Sequence, residues 1–195
     1  MTELVNRRQS VRITDRVLLA VNPVSPEKLQ AIAEDFQQGI SLYNQPGLAD
    51  IQMFIAAQTA LMKLRERDPD LADFLQHLDN KMNMLLQHQK AEKTPFDALE
   101  LQKANISANG IAFFREKPAK LGETFEVHMV LLPAYVYVYC FGRVVSCEKA
   151  PEGGAEGGVR IALEYALLAE EDREKIVQHN FKQQSQALRN RRLNS

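Results

Sequence analysis

The sequence predicts an α+β fold: a small antiparallel β-barrel, or a closed sandwich of short strands, interrupted by a helical segment and followed by a C-terminal helix. Three observations carry this. Apolar residues alternate with a period of two at Phe125, Val127, Met129 and Leu131, again at Tyr135, Tyr137, Tyr139 and Phe141, and again at Val159, Ile161, Leu163 and Tyr165. Residues 25–94 instead carry apolar positions at helical spacing. The stretch from Glu170 onward begins with acids and finishes with arginines, the charge order that suits a helix macrodipole.

Taken in order, "RRQSVRITDRVLLAV" starts basic and turns apolar, with Arg7, Arg8, Arg12 and Arg16 ahead of the run Val17 to Val21, so an exposed arm leads into a first strand. Ser25 then has the position of an N-cap, with Pro26 at the first helical position and Leu29, Ile32, Phe36 and Ile40 on one face. This helix is expected to end near Asn44 to Gly47. A second should run from about Leu48 to Arg67, where Asp68 can cap and Pro69 can open a third. Leu71, Leu75, Leu78, Met82 and Leu85 follow alternating spacings of four and three, a heptad seam that can serve a hairpin packed on its own protein or an association between chains. The Tyr135 to Phe141 strand is apolar on both faces, and its tyrosine stripe reads as strand packing rather than a base-stacking platform. "EGGAEGG" lacks the Lys and Ser/Thr of a nucleoside-triphosphate loop and reads as a hairpin connection. In the terminal helix Ile176, Val177, Phe181 and Leu188 are expected to dock on the strands. The organisation is therefore a barrel unit from residues 1–24 and 95–195, with residues 25–94 as a helical insertion.

A chain of 195 residues holds one core of ordinary size, and a formal net charge of −1 argues against bulk attraction to nucleic acid or to an anionic membrane. No nucleic-acid partner is expected. No apolar run approaches the roughly 18 residues that span a bilayer, and the first residues lack the apolar core of a signal peptide, so the chain reads as cytoplasmic, without direct membrane insertion. Cys140 and Cys147 read as small apolar strand residues. His77, His88, His128 and His179 are scattered without ligand spacing, so neither a metal site nor a cofactor is expected. No Ser/His/Asp or Cys/His constellation is present, and Glu170 and Glu171 are accounted for by a helix start; no catalytic residues are assigned, and no enzyme is expected.

Two short stretches remain. "NISANG", Asn105 to Gly110, reads locally as a tight turn between strands, yet Asn105 and Ser107 can also bond a ligand, and Gly110 permits positive φ or a close backbone approach. "RRQSVR" places Arg8 and Arg12 four residues apart ahead of the first strand. Together, Arg-x-x-x-Arg and Asn-x-Ser-x-x-Gly, in this order and beside these strand patterns, resemble the PilZ domain, the bacterial receptor module for cyclic di-GMP. The resemblance covers roughly residues 1–24 and 95–192. It implies a β-barrel with a C-terminal helix, cyclic di-GMP as ligand rather than cofactor, and a ligand site made of Arg8, Arg12, Asn105, Ser107 and Gly110, with Arg7 as an extra contact. The chemistry agrees, since arginine forks pair with phosphate oxygens or the guanine O6/N7 edge, and the family pattern permits Asn or Asp at position 105. The heptad-bearing insertion is similar to helices in relatives that oligomerise. The expectation is a non-catalytic signalling effector that forms a homo-oligomer through its helices and relays nucleotide binding to a protein partner. The competing expectation is a structural adaptor with little or no nucleotide binding.

Overall fold

The computed structural model describes residues 12–45, 48–89, 98–149 and 158–193, with only the backbone described at 49, 50, 83–89 and 191–193. In chain order the elements are β1 (Ile13–Pro23), α1 (Pro26–Gln37), a 3-10 turn (Leu42–Asn44), α2 (Leu48–Arg65), α3 (Pro69–Gln89), β2 (Glu100–Ser107), β3 (Gly110–Arg115), β4 (Thr124–Leu131), β5 (Val136–Lys149), β6 (Val159–Leu168) and α4 (Glu170–Leu193). The strands pair antiparallel and close into a barrel in the order β1-β2-β3-β6-β5-β4. Closure leaves no sheet edge to protect.

Alternation sends one set of side chains inward. Val17, Leu19, Ala104, Ile106, Ile111, Phe113, Phe125, Val127, Met129, Leu131, Val138, Cys140, Val144, Ile161 and Leu163 form the barrel interior. Cys140 is one of these small apolar residues, with burial pushing its thiol pKa up. A second core lies outside the barrel. The outward face of β4 and β5, Val130, Tyr137, Tyr139 and Phe141, is covered by Val24, Ile32, Leu42, Leu48 and Ile51 from the β1–α1 connection, α1, the 3-10 turn and the start of α2. That is why β5 is apolar on both faces, and it accounts for the tyrosine stripe: Tyr139 is fully buried packing against the inserted helices.

α1 begins as its sequence dictates, with the Ser25 side chain accepting from Lys28 N–H at 3.3 Å and Pro26 in the first turn. It ends earlier than its apolar spacing suggests. Gly39 at φ 87° takes the left-handed position that closes a helix, so Ile40 falls outside α1 and is exposed. The break between α2 and α3 is as expected: Leu71 N–H donates to Asp68 Oδ1 at 3.1 Å, and Pro69 opens α3. These two helices form an antiparallel hairpin joined by Arg65 Nη2 and Asp73 Oδ1 at 2.9 Å, with Ala72 fully buried. The heptad seam does not pack on the chain's own barrel: Leu71, Leu75, Leu78 and Met82 are all exposed, Met82 at 61%, and the Leu85 side chain lies outside the described residues.

α4 docks on a different face from the one its apolar residues predict. Ile176 is buried in the barrel core, whereas Val177, Phe181 and Leu188 are exposed. The docked face is Asp172, Ile176 and Asn180, one helical stripe that is mostly polar. Its polar members meet backbone and side-chain partners instead of apolar surface. Asn180 Nδ2 donates to Ile106 O at 3.2 Å, Gln183 Nε2 to Leu132 O at 3.4 Å, and Asp172 accepts from Tyr43 and Lys175.

Candidate functional site: the open face of the barrel

The stretch "NISANG" is a β-hairpin in which β2 ends at Ser107, β3 begins at Gly110, and Ala108–Asn109 make the connection. Ile106 and Ile111 point into the barrel and pair across the hairpin, so Asn105 and Ser107 lie on the outer face. Asn105 Nδ2 donates to Thr14 Oγ1 on β1 at 3.0 Å, which leaves its carbonyl oxygen and second N–H toward the surface. Ser107 is buried and donates to Gly110 O at 3.1 Å. Gly110 does not use positive φ. A Cβ there would collide with the Leu163 carbonyl oxygen on β6, so glycine is required by close approach of backbones. α4 braces the tip, with Arg173 Nη1 donating to Ala108 O at 2.6 Å.

Arg12 is exposed and immediately precedes Ile13, which pairs with Ile106, so it stands at the Ser107 end of this face. Arg7 and Arg8 lie outside the described residues. The site residues that are described, Arg12, Asn105, Ser107 and Gly110, are thus gathered at one end of the β1-β2-β3-β6 face.

Register organises that face into cross-strand rows. Ser107, Gly110 and Glu164 form one; Thr14, Asn105, Ala112 and Ala162 form the next. Arg16 pairs with Lys103, and Phe114 with Arg160, two residues further along each strand. A depression of about 280 Å³ is lined by Thr14, Lys103, Asn105, Ala112, Phe114 and Arg160 among others. Through Lys103 and Phe114 it continues into a larger cleft of about 1020 Å³ that also includes Arg16, Arg115 and Lys117 with Glu100 and Glu116. Among the described residues, the inserted helices cover β4 and β5 and not this opposite face.

A second polar cluster, which sequence spacing does not reveal, lies under the inserted helices. His128 is fully buried on the outer face of β4, its Nδ1 2.8 Å from Tyr137 Oη. Burial holds its pKa down at about 4, against the opposing pull of Glu126, so the ring is neutral near pH 7 and its 3.7 Å approach to Glu126 is not an ion pair there. The direction of that bond follows the tautomer: where Tyr137 Oη donates to Nδ1, the neutral ring carries its proton on Nε2, 3.7 Å from Glu126 Oε1. Tyr139 Oη donates to Glu126 Oε1 at 2.5 Å, and Lys28 Nζ lies 3.7 Å from Glu126 Oε2. Burial raises the Tyr137 and Tyr139 hydroxyl pKa values. Tyr43 Oη donates to Asp172 Oδ2 at 2.8 Å and Lys175 Nζ to Asp172 Oδ1 at 2.6 Å, which ties the 3-10 turn to α4. These groups bond to one another beneath the helices, with His128 Nε2 the one buried ring atom left without a hydrogen-bond partner among them, an arrangement that fixes the insertion to the barrel. Among the described residues no group of three or more His, Cys, Asp or Glu side chains could hold a metal ion, and no helix is long and apolar enough to cross a membrane.

The PilZ domain family model matches residues 87–182. Among solved structures, a Xanthomonas campestris protein described as a tetrameric PilZ domain self-assembled via an unusual helical bundle aligns at 14% identity, over 93% of this chain and 91% of that one, with a TM-score of 0.49. The Bacillus subtilis inhibitor of motility MotI/DgrA aligns at 13% identity with a TM-score of 0.48, over 93% of this chain, which spans 53% of its length. No curated protein matches the sequence.

Proposed function

We propose that this chain, whose residues 87–182 match the PilZ domain family model, binds cyclic di-GMP on the open β1-β2-β3-β6 face and acts as a non-catalytic effector. Arg7, Arg8 and Arg12 supply guanidinium forks for phosphate or the guanine O6/N7 edge. Asn105 presents an acceptor and a donor from the floor, and Ser107 and Gly110 hold the hairpin in the shape that displays it. One observation supports this most. The outward side of "NISANG", with Arg12 beside it, falls on the barrel face that the described part of the insertion leaves uncovered, and a depression lined by Asn105 opens on that face. A bound nucleotide would join the arm before β1 to the β2–β3 hairpin, and α4 meets that hairpin through Arg173 and Ala108. The output is a changed surface offered to a protein partner. The seam Leu71, Leu75, Leu78 and Met82 is the surface for homo-oligomerisation, since each of these side chains keeps about two-fifths or more of its surface open within one chain.

Calorimetric titration with cyclic di-GMP tests the reading. Saturable binding is expected, and Arg8→Ala or Arg12→Ala should each weaken it by roughly 1.5–3 kcal/mol through loss of a charge-assisted bond, with circular dichroism unchanged. The nucleotide should be recovered intact. Absence of binding by the parent chain, or parent-like titration of both variants, refutes it.

A second reading is a structural adaptor without useful nucleotide affinity. It is favoured by the fact that Ser107 spends its hydroxyl proton on Gly110, and that Gly110 is demanded by Leu163. Both residues therefore have a folding reason to be present, independent of any ligand.

A further inference from the structure

The geometry points to a second half of the ligand site, outside the Arg-x-x-x-Arg and Asn-x-Ser-x-x-Gly residues: Lys103, Phe114 and Arg160 form a cationic and aromatic shelf that takes the far base-and-phosphate half of a cyclic dinucleotide. This rests on the cyclic di-GMP reading and extends it. Lys103 on β2, Phe114 on β3 and Arg160 on β6 all line the depression that also holds Asn105, and Arg16 pairs with Lys103 at its edge. Lys103 is exposed and Phe114 and Arg160 are half-buried, so all three present surface to the depression.

Spacing argues for a ligand with two functional ends. Successive rows on one face of a strand are about 7 Å apart, so the Ser107 end beside Arg12 and the Lys103 end are about 14 Å apart. Between them lies the Asn105 row, where β3 and β6 contribute only Ala112 and Ala162. Two small side chains make a flat floor on which a planar or macrocyclic body can rest. A monophosphate reaches one cationic end only. A molecule with two phosphates and two purines can reach both, with one base stacked on the Phe114 ring and Lys103 and Arg160 facing phosphate oxygens or the guanine O6/N7 edge.

Carboxylates border the shelf and set its selectivity. Glu148 is the cross-strand neighbour of Arg160 on β5, where it accepts from Ser146 Oγ at 2.8 Å, and Glu164 flanks Gly110 at the other end. A ligand with anionic charge spread evenly along its length would meet one or both. A ligand whose anionic groups sit over the Lys103 and Arg12 ends avoids them.

The test is calorimetry on the full chain with cyclic di-GMP and with 5′-GMP, comparing the parent, Arg12→Ala, Lys103→Gln, Lys103→Arg, Arg160→Gln and Phe114→Leu. Lys103→Gln, Arg160→Gln and Phe114→Leu should each raise Kd for cyclic di-GMP about tenfold, Lys103→Arg should stay closer to the parent than Lys103→Gln, and GMP should bind at least about a hundredfold more weakly than the dinucleotide. Melting temperatures should match the parent, because none of the three side chains lies in either core. If the parent binds and Arg12→Ala weakens binding, while Lys103→Gln, Arg160→Gln and Phe114→Leu stay within about twofold of the parent, the shelf is refuted and the motif site stands alone. Binding of GMP as tight as that of the dinucleotide also overturns it. A parent that binds no cyclic di-GMP overturns both readings together.

Discussion

Acid should weaken this fold through one histidine, and the effect can be worked from its surroundings. His128 faces Glu126 on its own strand, Tyr137 and Tyr139 on β5, and beyond them Lys28 of α1 and Tyr43 of the 3-10 turn, itself bonded to Asp172 of α4. Burial lowers its pKa from 6.5 to about 4, Glu126 pulls it up and Lys28 down, with burial the largest effect. The unfolded chain therefore takes a proton on this ring at a pH where the folded chain does not. Stability from this site is fully present above about pH 6.5 and falls as the pH drops towards about 4, where the folded ring begins to protonate as well. The whole fall is about 3 kcal/mol, from about 1.4 kcal/mol per pKa unit. His179 adds a smaller change of the same sign, because burial lowers its pKa too, despite Asp15 at 3.0 Å. Chemical denaturation of the parent and of His128→Gln at intervals from pH 7.5 to 4.5 isolates the term, since Gln can still accept from Tyr137 and donate towards Glu126. The parent should lose about 2–3 kcal/mol more than the variant over that range. Equal slopes for the two proteins, or an imidazolium signal from His128 in NMR spectra at pH 5.5, would refute the reasoning.

Other outcomes follow from single contacts. Gly110→Ala forces β3 away from the Leu163 carbonyl and should destabilise the barrel by about 3 kcal/mol in urea denaturation; a cost below about 0.5 kcal/mol would mean that the two strands are not so close. Tyr43→Phe strips one donor from the buried Asp172 carboxylate and should cost about 2 kcal/mol, leaving the barrel's circular dichroism unchanged. Leu78→Asp or Met82→Asp should lower the oligomer mass measured by light scattering, and a parent already monomeric at tens of micromolar would remove the premise. Cyclic di-GMP at about 100 times its Kd should add about 2.7 kcal/mol of stability and slow hydrogen exchange in Asn105 to Gly110.

The barrel was legible because its strands obey a period of two, and β5 advertised its second core by being apolar on both sides. Ser25, Pro26, Asp68 and Pro69 marked helix boundaries through local chemistry that tertiary structure did not override. The end of α1 was missed because Ile40 continued the apolar spacing, while a single left-handed residue, Gly39, had already closed the helix. The docking face of α4 was missed for a different reason. Counting apolar residues finds Ile176, which does dock, together with Val177, Phe181 and Leu188, which do not; a helix seated against backbone carbonyls and a tyrosine hydroxyl also uses Asp172 and Asn180, which apolar periodicity cannot register. His128 stood alone in the sequence because its hydrogen-bond partner, Tyr137, comes from the next strand and the helices that bury it come from the insertion. Within the candidate site, "NISANG" and Arg12 were visible as residue types at fixed spacing. Lys103, Phe114 and Arg160 join them only once β2, β3 and β6 are in register.

The α2–α3 hairpin has a mechanical consequence of its own. α2 is anchored where it crosses β5, and α3 packs chiefly against α2, so the outer part of the pair is a lever arm whose length is set by sequence rather than by the barrel. Inserting one heptad into each helix would extend the arm by about 10 Å and return every seam residue to nearly the same bearing. Inserting a single residue into each would instead turn the seam by about 100° and point it at a different neighbour. The β1-β2-β3-β6 face would be untouched by either change. Reach and direction of the arm are therefore free to diverge between related chains while the open face of the barrel stays the same.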